Sequence, residues 1–350
     1  MKYYLKEEFL HEKNLKNAGS KARNDVEEIV KKEGYQDLVL SVDNWYEMST
    51  FKAQLYKSKV FGEVLDQLKQ GDELLIQLPI INHSFFATHH VKKVQKKGVK
   101  VHFIIHDLEA LRYVNVENFP LKHKIRIQIQ ESGLLGIADG IIAHNPIMKS
   151  VLVDKGIAED KIVSLGIFDY LIPDFQEKAS LTKNQPIIVA GNLAQEKAGY
   201  LYSLPTEPAF NLYGVGFDES RALANETYFG SFLPDELPVA LEGGFGLVWD
   251  GDSTETCIVV FGEYLRYNNS HKASLYLAAG FPLVVWKQSA LSYFVLEKGC
   301  GIAVESLHDL KETIDKLSDA DYQKLVDNAN RVGQEIREGH YLKTALKHLA

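Results

Sequence analysis

The chain has 350 residues, 45% of them hydrophobic and 25% charged, with a formal net charge of -8. That size favours two globular domains over one. The acidic balance argues against general binding to nucleic acid or to a membrane surface, though not against a local basic pocket.

The N-terminus, MKYYLKEEFL, is too charged for a signal peptide, and no apolar run reaches spanning length, so no membrane span is expected and the cytoplasm is the expected location. KYYLKE reads as a first strand. The loop NAGSK leads into an amphipathic helix over residues 20–32, with Ser20 as its N-cap. LVLSV (38–42) is a strand, VFGEVLDQL (60–68) is helical in period, and ELLIQLP (73–79) is an apolar strand. A helix over 85–98, a strand over 99–107 and a helical stretch over 118–138 follow. Next come strand GIIAHN (140–145), a helix with Pro146 in its first turn, and strand KIVSLGIFDY (161–170).

Polar, proline-flanked DYLIPDFQEKASLTKNQP (169–186) reads as a linker. After it the alternation restarts with PIIVAGNL, AFNLYGVG, TYFGSF, FGLVWDG, the helix SLYLAAG, FPLVVW and GIAVES, then helices. Strands alternating with helices imply parallel, doubly wound α/β sheets. The expected organisation is an N-terminal domain over 1–170, a C-terminal domain over 186–330 and a terminal helix over 331–350 that crosses back to the first domain. Ligands of such folds bind beyond the carboxyl ends of strands, in a cleft when two domains stand in tandem.

Several chemistries are disfavoured. No G-x-G-x-x-G follows the first strand, GVGFDES lacks a third glycine, and there is no P-loop or G-x-S-x-G elbow. Cys257 and Cys300 stand in no CxxC or Cys/His spacing, which disfavours a disulfide framework or a zinc site.

Three strand-end segments point instead to an anion. In AGNLAQEK, Gly191 permits close backbone approach, Asn192 donates and accepts, and Lys197 adds a cation. VWDGD makes a tight turn around Asp250, and YNNSHK precedes a helix start. Helix N-termini bind phosphate through backbone N–H groups, and His271 with Lys272 would complete a site for a dianion. The plainer alternative is a core helix with polar residues at its exposed start.

In the first half, His106-Asp107 stands where a buried strand stops, with Arg112 following. That placement suits a general base or a grip on sugar hydroxyls, or else Asp107 merely caps the next helix. Asn17, Gly19, Ser20 and Lys21 bind an acceptor or only cap the first helix. His89 and His90 read as surface and packing residues.

FGSFLPDELPVAL, GGFGLVWDGD, FGEYLRYNNSHKASLYLAAGFPLVVW and GIAVESLHDL resemble the glucosyltransferase-3-like family of bacterial GT-B enzymes, which extend O-linked glycans on serine-rich repeat adhesins. NAGSKARNDV, HDLEALR, ADGIIAHN and GNLAQEKAGYL fit the same family, and relatives are often described as galactofuranosyltransferases. The resemblance implies two Rossmann-like domains, a UDP-sugar donor held by the C-terminal domain, no metal or other cofactor, and a homo-oligomer. Glucose would pass from UDP-glucose to N-acetylglucosamine on Ser or Thr of a glycosylated, serine-rich protein acceptor, with no nucleic-acid partner.

By the same resemblance Asn268, Asn269, His271 and Lys272 hold the donor diphosphate. Gly191, Asn192, Lys197 and Asp250 assist, Tyr213 walls the uracil, and His106 and Asp107 face the acceptor. Ser270 stands where the family is expected to carry proline. Leu275 replaces the second acid of the Glu-x7-Glu pair of many GT-B enzymes, which removes a simple glutamate-assisted retaining scheme. A UDP-N-acetylglucosamine or UDP-galactofuranose donor, a nucleotide-sugar epimerase and a non-catalytic glycan- or partner-binding protein of the same shape are the other readings.

Overall fold

The alternating apolar runs form two parallel sheets, each in its own compact unit. A computed structural model describes residues 1–8, 18–42, 48–82, 85–116, 119–178 and 181–349. The first unit comprises Met1–Asn14, Val26–Leu165 and Leu342–Ala350, and the second Leu15–Asp25 and Gly166–Tyr341.

The chain runs through β1 (Lys2–Glu8), α1 (Ala18–Lys32), β2 (Gln36–Ser41), α2 (Thr50–Leu65), β3 (Glu73–Leu78), α3 (Ala87–Gln95), β4 (Lys100–Ile105), α4 (Glu109–Arg112) and α5 (Leu121–Ile127). A π-helical stretch, Gln128–Ser132, joins α5 to α6 (Gly133–Leu135), and β5 (Gly140–Ala143), α7 (Pro146–Asp154) and β6 (Ile162–Ser164) close the first sheet. Its order is β2-β1-β3-β4-β5-β6, with every pair parallel. The central strands β3, β4 and β5 are covered on both faces and read as continuous apolar runs for that reason.

The second sheet contains β7 (Ile187–Asn192), α8 (Gln195–Ala198), β8 (Phe210–Val215), β9 (Glu226–Tyr228), α9 (Leu237–Ala240), β10 (Phe245–Val248), α10 (Val259–Tyr264), α11 (His271–Ala278), β11 (Leu283–Trp286), α12 (Ala290–Lys298) and β12 (Gly301–Val304). Helices α13 (Leu310–Asp315), α14 (Asp319–Arg337) and α15 (His340–His348) end the chain. The order is β12-β11-β10-β7-β8-β9, again all parallel. The chain winds outward from β7 through β8 and β9, then returns to β10 on the other side of β7. The switch point therefore lies between β7 and β10, where doubly wound sheets open a crevice at their carboxyl edge.

Four boundaries differ from the pattern reading. Helix α1 starts at Ala18, so Ser20 lies inside it and does not cap it. Helix α2 starts ten residues earlier than its apolar period suggests, because Lys57 occupies a buried position and breaks the pattern. Strand β6 stops at Ser164, since β5 ends at Ala143 and offers no further partner. The terminal helical stretch breaks at Gly339, whose φ of +73° is left-handed.

Candidate functional site

At the second sheet's switch point, three strand-end segments meet around one ammonium. Strand β7 ends at Gly191 (φ +122°), and β8 pairs beside it with Gly191 opposite Gly214. A Cβ on Gly214 would lie 1.8 Å from the Gly191 carbonyl oxygen, so this edge closes only without side chains there. Space for a Cβ on Gly191 ends 3.5 Å away at Cε of Lys272. The Lys272 ammonium donates to Asp250 Oδ1 at 2.7 Å and to the Trp249 carbonyl at 3.3 Å. The Gly251 amide donates to the Lys197 carbonyl at 2.8 Å, tying the β7 loop to the β10 turn. Lys197 Nζ lies 5.4 Å over the Phe261 ring, and Asn192 Oδ1 accepts from the Ala194 amide at 3.0 Å. Gly191, Asn192, Lys197, Asp250 and Lys272 are thus gathered at one edge.

Asp250 is the counter-ion of Lys272, and both side chains are about nine-tenths buried. A buried pair of this kind is electrically neutral and strongly coupled, so removal of either partner leaves a costly lone charge.

Helix α11 packs through small and apolar residues, Ala273 to Ala278 being buried, and the Ala190 amide donates to the Tyr276 hydroxyl at 2.7 Å. Ser270 holds the N-cap position with extended backbone but makes no side-chain capping bond. The positive end of the helix is therefore not closed by a side-chain cap.

The rest of YNNSHK is arranged differently from the expectation. His271 is not a cation at neutral pH: burial, with the nearby Lys21 charge, pushes its imidazole down to about 4. Its ring is enclosed by Phe168 and Tyr170, with centroids at 6.0 and 5.2 Å, and it hydrogen-bonds to the Asp169 backbone while Nε2 has no partner. Asn269 is buried and donates its amide to the Gly166 carbonyl, so that donor is spent inside the protein. Asn268 is half-buried, and its Oδ1 has no partner.

Tyr213 cannot wall a base. It is fully buried under Phe229, whose ring stacks on it at 4.8 Å, and its hydroxyl accepts from the Glu242 amide. Phe229 presents the exposed ring there. The signal in the sequence is the strand itself, since Tyr213 falls in the apolar run of β8 and Phe229 just beyond the end of β9. Leu275 is buried in α11, and Glu263 of α10 pairs with Arg266 at 3.0 Å.

In the first unit, His106 follows β4 and its Nε2 pairs with Gln77 Oε1 on β3 at 2.7 Å. Asp107 is bound by Arg112, which gives the Asp107 carboxylate a partner and occupies the guanidinium expected at the acceptor. Asp107 does not cap α4. The Glu109 and Ala110 amides donate to Glu131 at 2.8 and 3.0 Å, so a carboxylate 22 residues away performs the capping. Burial holds the Glu131 carboxyl above its usual range. Nothing local in the sequence marks Glu131 as a cap.

Asn17 lies outside the described residues, and Gly19 and Ser20 lie within α1. Lys21 is not free for an acceptor. It is buried, pairs with Asp25 at 2.9 Å and Asp235 at 3.0 Å, and donates to the Leu171 carbonyl at 2.7 Å. Desolvation pushes Asp25 up to about 6 despite the lysine. That cluster explains why the first turns of α1 group with the second unit.

Among the described residues no group of His, Cys, Asp and Glu is placed to hold a metal ion, and no helix is long and apolar enough to cross a membrane.

Comparison with known proteins matches residues 2–167 to the glucosyltransferase 3-like N-terminal domain and 187–349 to the glucosyltransferase 3-like C-terminal domain. The chain is 31% identical to beta-1,6-galactofuranosyltransferase WbbI of Escherichia coli (strain K12) over 97% of both chains. It is 26% identical to glucosyltransferase 3 of Streptococcus gordonii over 93% of this chain and 92% of the relative. Among solved structures, the sucrose-phosphate synthase of Thermosynechococcus elongatus superposes with a TM-score of 0.65 at 12% identity, over 99% and 98% of the two chains. With two doubly wound parallel sheets and both family domains in order, the chain belongs to the glucosyltransferase 3-like family and is a GT-B hexosyltransferase.

Proposed function

We propose that the chain transfers a hexosyl group from a UDP-sugar to a hydroxyl of a glycan acceptor without a metal ion. The observation that carries this reading is the uncapped N-terminus of α11 beside Lys272 and Gly191 at the switch point. A diphosphate fits there, because backbone N–H groups and an ammonium meet the charge that grows as UDP leaves. The acceptor oxygen bonds to the anomeric carbon, the bond from that carbon to the β-phosphate oxygen breaks, and the acceptor proton passes to a base. Asp107, with His106 beside it in sequence, is the base we assign in the first unit.

Glucose transferred to N-acetylglucosamine O-linked to Ser or Thr is the reading favoured by the family domains. Galactofuranose is the second reading, favoured by the 31% identity to a galactofuranosyltransferase. The test is a donor screen with UDP-glucose, UDP-galactofuranose and UDP-N-acetylglucosamine, with and without EDTA, against glycan acceptors whose product linkage is then determined. Consumption of one donor only with acceptor present, unaffected by EDTA, is the expected outcome. Donor conversion without acceptor would point to an epimerase. Full activity in Asp107→Asn would remove that residue as base.

A further inference from the structure

The carboxylate assigned as the base is closed at both oxygens. Arg112, the last residue of α4, donates to Asp107 Oδ2. The other oxygen, Oδ1, is buried and has no hydrogen-bond partner. The two side chains are 23% and 29% exposed, so the pair lies near solvent while one oxygen is taken and the other covered. A general base needs an oxygen within hydrogen-bond reach of the proton it takes.

The surroundings of this pair are fixed. The neighbouring acids have partners of their own: Glu109 pairs with Arg126 of α5, and Glu131 accepts from the Glu109 and Ala110 amides at 2.8 and 3.0 Å. Those bonds also hold α4, a single turn that would not persist alone. Leu111 is buried, and the Arg112 amide donates to the Leu108 carbonyl at 3.0 Å. On the strand side, the His106 amide donates to the Leu78 carbonyl at 2.8 Å. With the backbone anchored before and after Asp107, the part able to move is the long Arg112 side chain.

We propose, on the reading of Asp107 as the base, that Arg112 is a latch that keeps the carboxylate covered until an acceptor glycan takes over the guanidinium. Breaking a charge-assisted pair costs more than a single water returns, because the guanidinium exchanges an ionised partner for a neutral one. A sugar presents several hydroxyl oxygens at fixed spacing, and these satisfy the rigid fork of N–H donors together. The acceptor thus uncovers the carboxylate that takes its proton, and water does not. With the latch removed and no acceptor present, water would bond to the anomeric carbon and the bond to the β-phosphate oxygen would break. Asp107 would take the water's proton, and free sugar and UDP would result. Arg112 in this way selects glycan over water.

The test measures UDP release from UDP-glucose and from UDP-galactofuranose by the full chain, with and without a glycan acceptor. Arg112→Gln should raise acceptor-free hydrolysis of the donor about tenfold, a gain that a misfolded protein cannot produce. Because the pair is part-exposed, its loss should leave the fold intact, checked by thermal melting. Arg112→Lys, which keeps a cation without the fork, should show a smaller gain. Asp107→Asn with Arg112→Gln should hydrolyse no faster than Asp107→Asn alone, because the gain runs through the carboxylate. Hydrolysis at or below the wild-type rate in both folded Arg112 variants overturns the proposal, and so does a gain that survives in the double variant. Full transfer in Asp107→Asn removes the base itself, whatever Arg112→Gln does, so the two failures are distinguishable.

Discussion

The two sheets use carboxylates differently at their carboxyl edges. In the first unit, two carboxylates of the chain itself cover exposed amides, although α2, α3 and α5 start without a side-chain cap. Glu7 at the end of β1 accepts from the Ile81 and Asn82 amides at 3.1 and 2.7 Å beside the β1–β3 switch point, and Glu131 closes the start of α4. In the second unit, Asp250 neutralises Lys272, but no side chain caps the start of α11. What the second edge adds to an uncapped helix start is a buried ammonium with a single carboxylate as its counter-ion, the arrangement on which the proposed diphosphate site rests.

The largest expected effect comes from filling the backbone approach peculiar to the second edge. Gly214→Ala would drive a Cβ into the Gly191 carbonyl, and we expect a loss of at least about 4 kcal/mol or failure to fold, read by urea denaturation. Wild-type stability in this variant would show that the backbone at this edge yields easily. Next, Lys272→Ala should lower kcat/KM by about a hundredfold to a thousandfold and abolish the UDP-induced thermal shift. Because it also strands Asp250, the variant should lose stability. Asp250→Asn with Lys272→Met should recover the stability and not the activity. Recovery of both would assign the pair to structure alone.

A pH experiment sharpens the contrast further. The folded His271 titrates near 4, below its ordinary value of 6.5. The unfolded chain therefore takes up the proton first, and stability present above about pH 6.5 is lost as pH falls towards 4. His271 should account for about 2 kcal/mol of the loss between about pH 7 and 5. His271→Asn should flatten the profile by that amount, and an unchanged slope would return the ring to the cationic role. The smallest effect belongs to the self-capped edge: Glu131→Ala should cost about 1 to 2 kcal/mol and leave UDP binding alone. Weakened UDP binding in that variant would erase the distinction between the edges.

The architecture was readable in the sequence because buried parallel strands announce themselves as apolar runs, and α11 as a small-residue helix bounded by Gly280. The meeting of the Gly191, Asp250 and Lys272 segments was readable too, since strand ends of one parallel sheet share an edge. What stayed hidden depends on pairing in space. A pattern shows that Lys272 is a cation but not that Asp250 answers it. His271 looks like a second cation until Phe168 and Tyr170 enclose it. Lys57 conceals the first half of α2 because a buried lysine looks exposed in a hydropathy pattern. The family resemblance offered Tyr213 as a base platform, while its position in a core strand already spoke for burial.

The Lys272–Asp250 pair has a kinetic meaning. A buried lysine with nothing opposite it would cling to any diphosphate, spent nucleotide included. With a resident carboxylate, an arriving anion competes for the ammonium, and a departing one returns it to its old partner. At the donor site proposed above, diphosphate would then bind and leave by exchange, with a resting state that is already satisfied, and the empty enzyme would not be penalised for letting its product go.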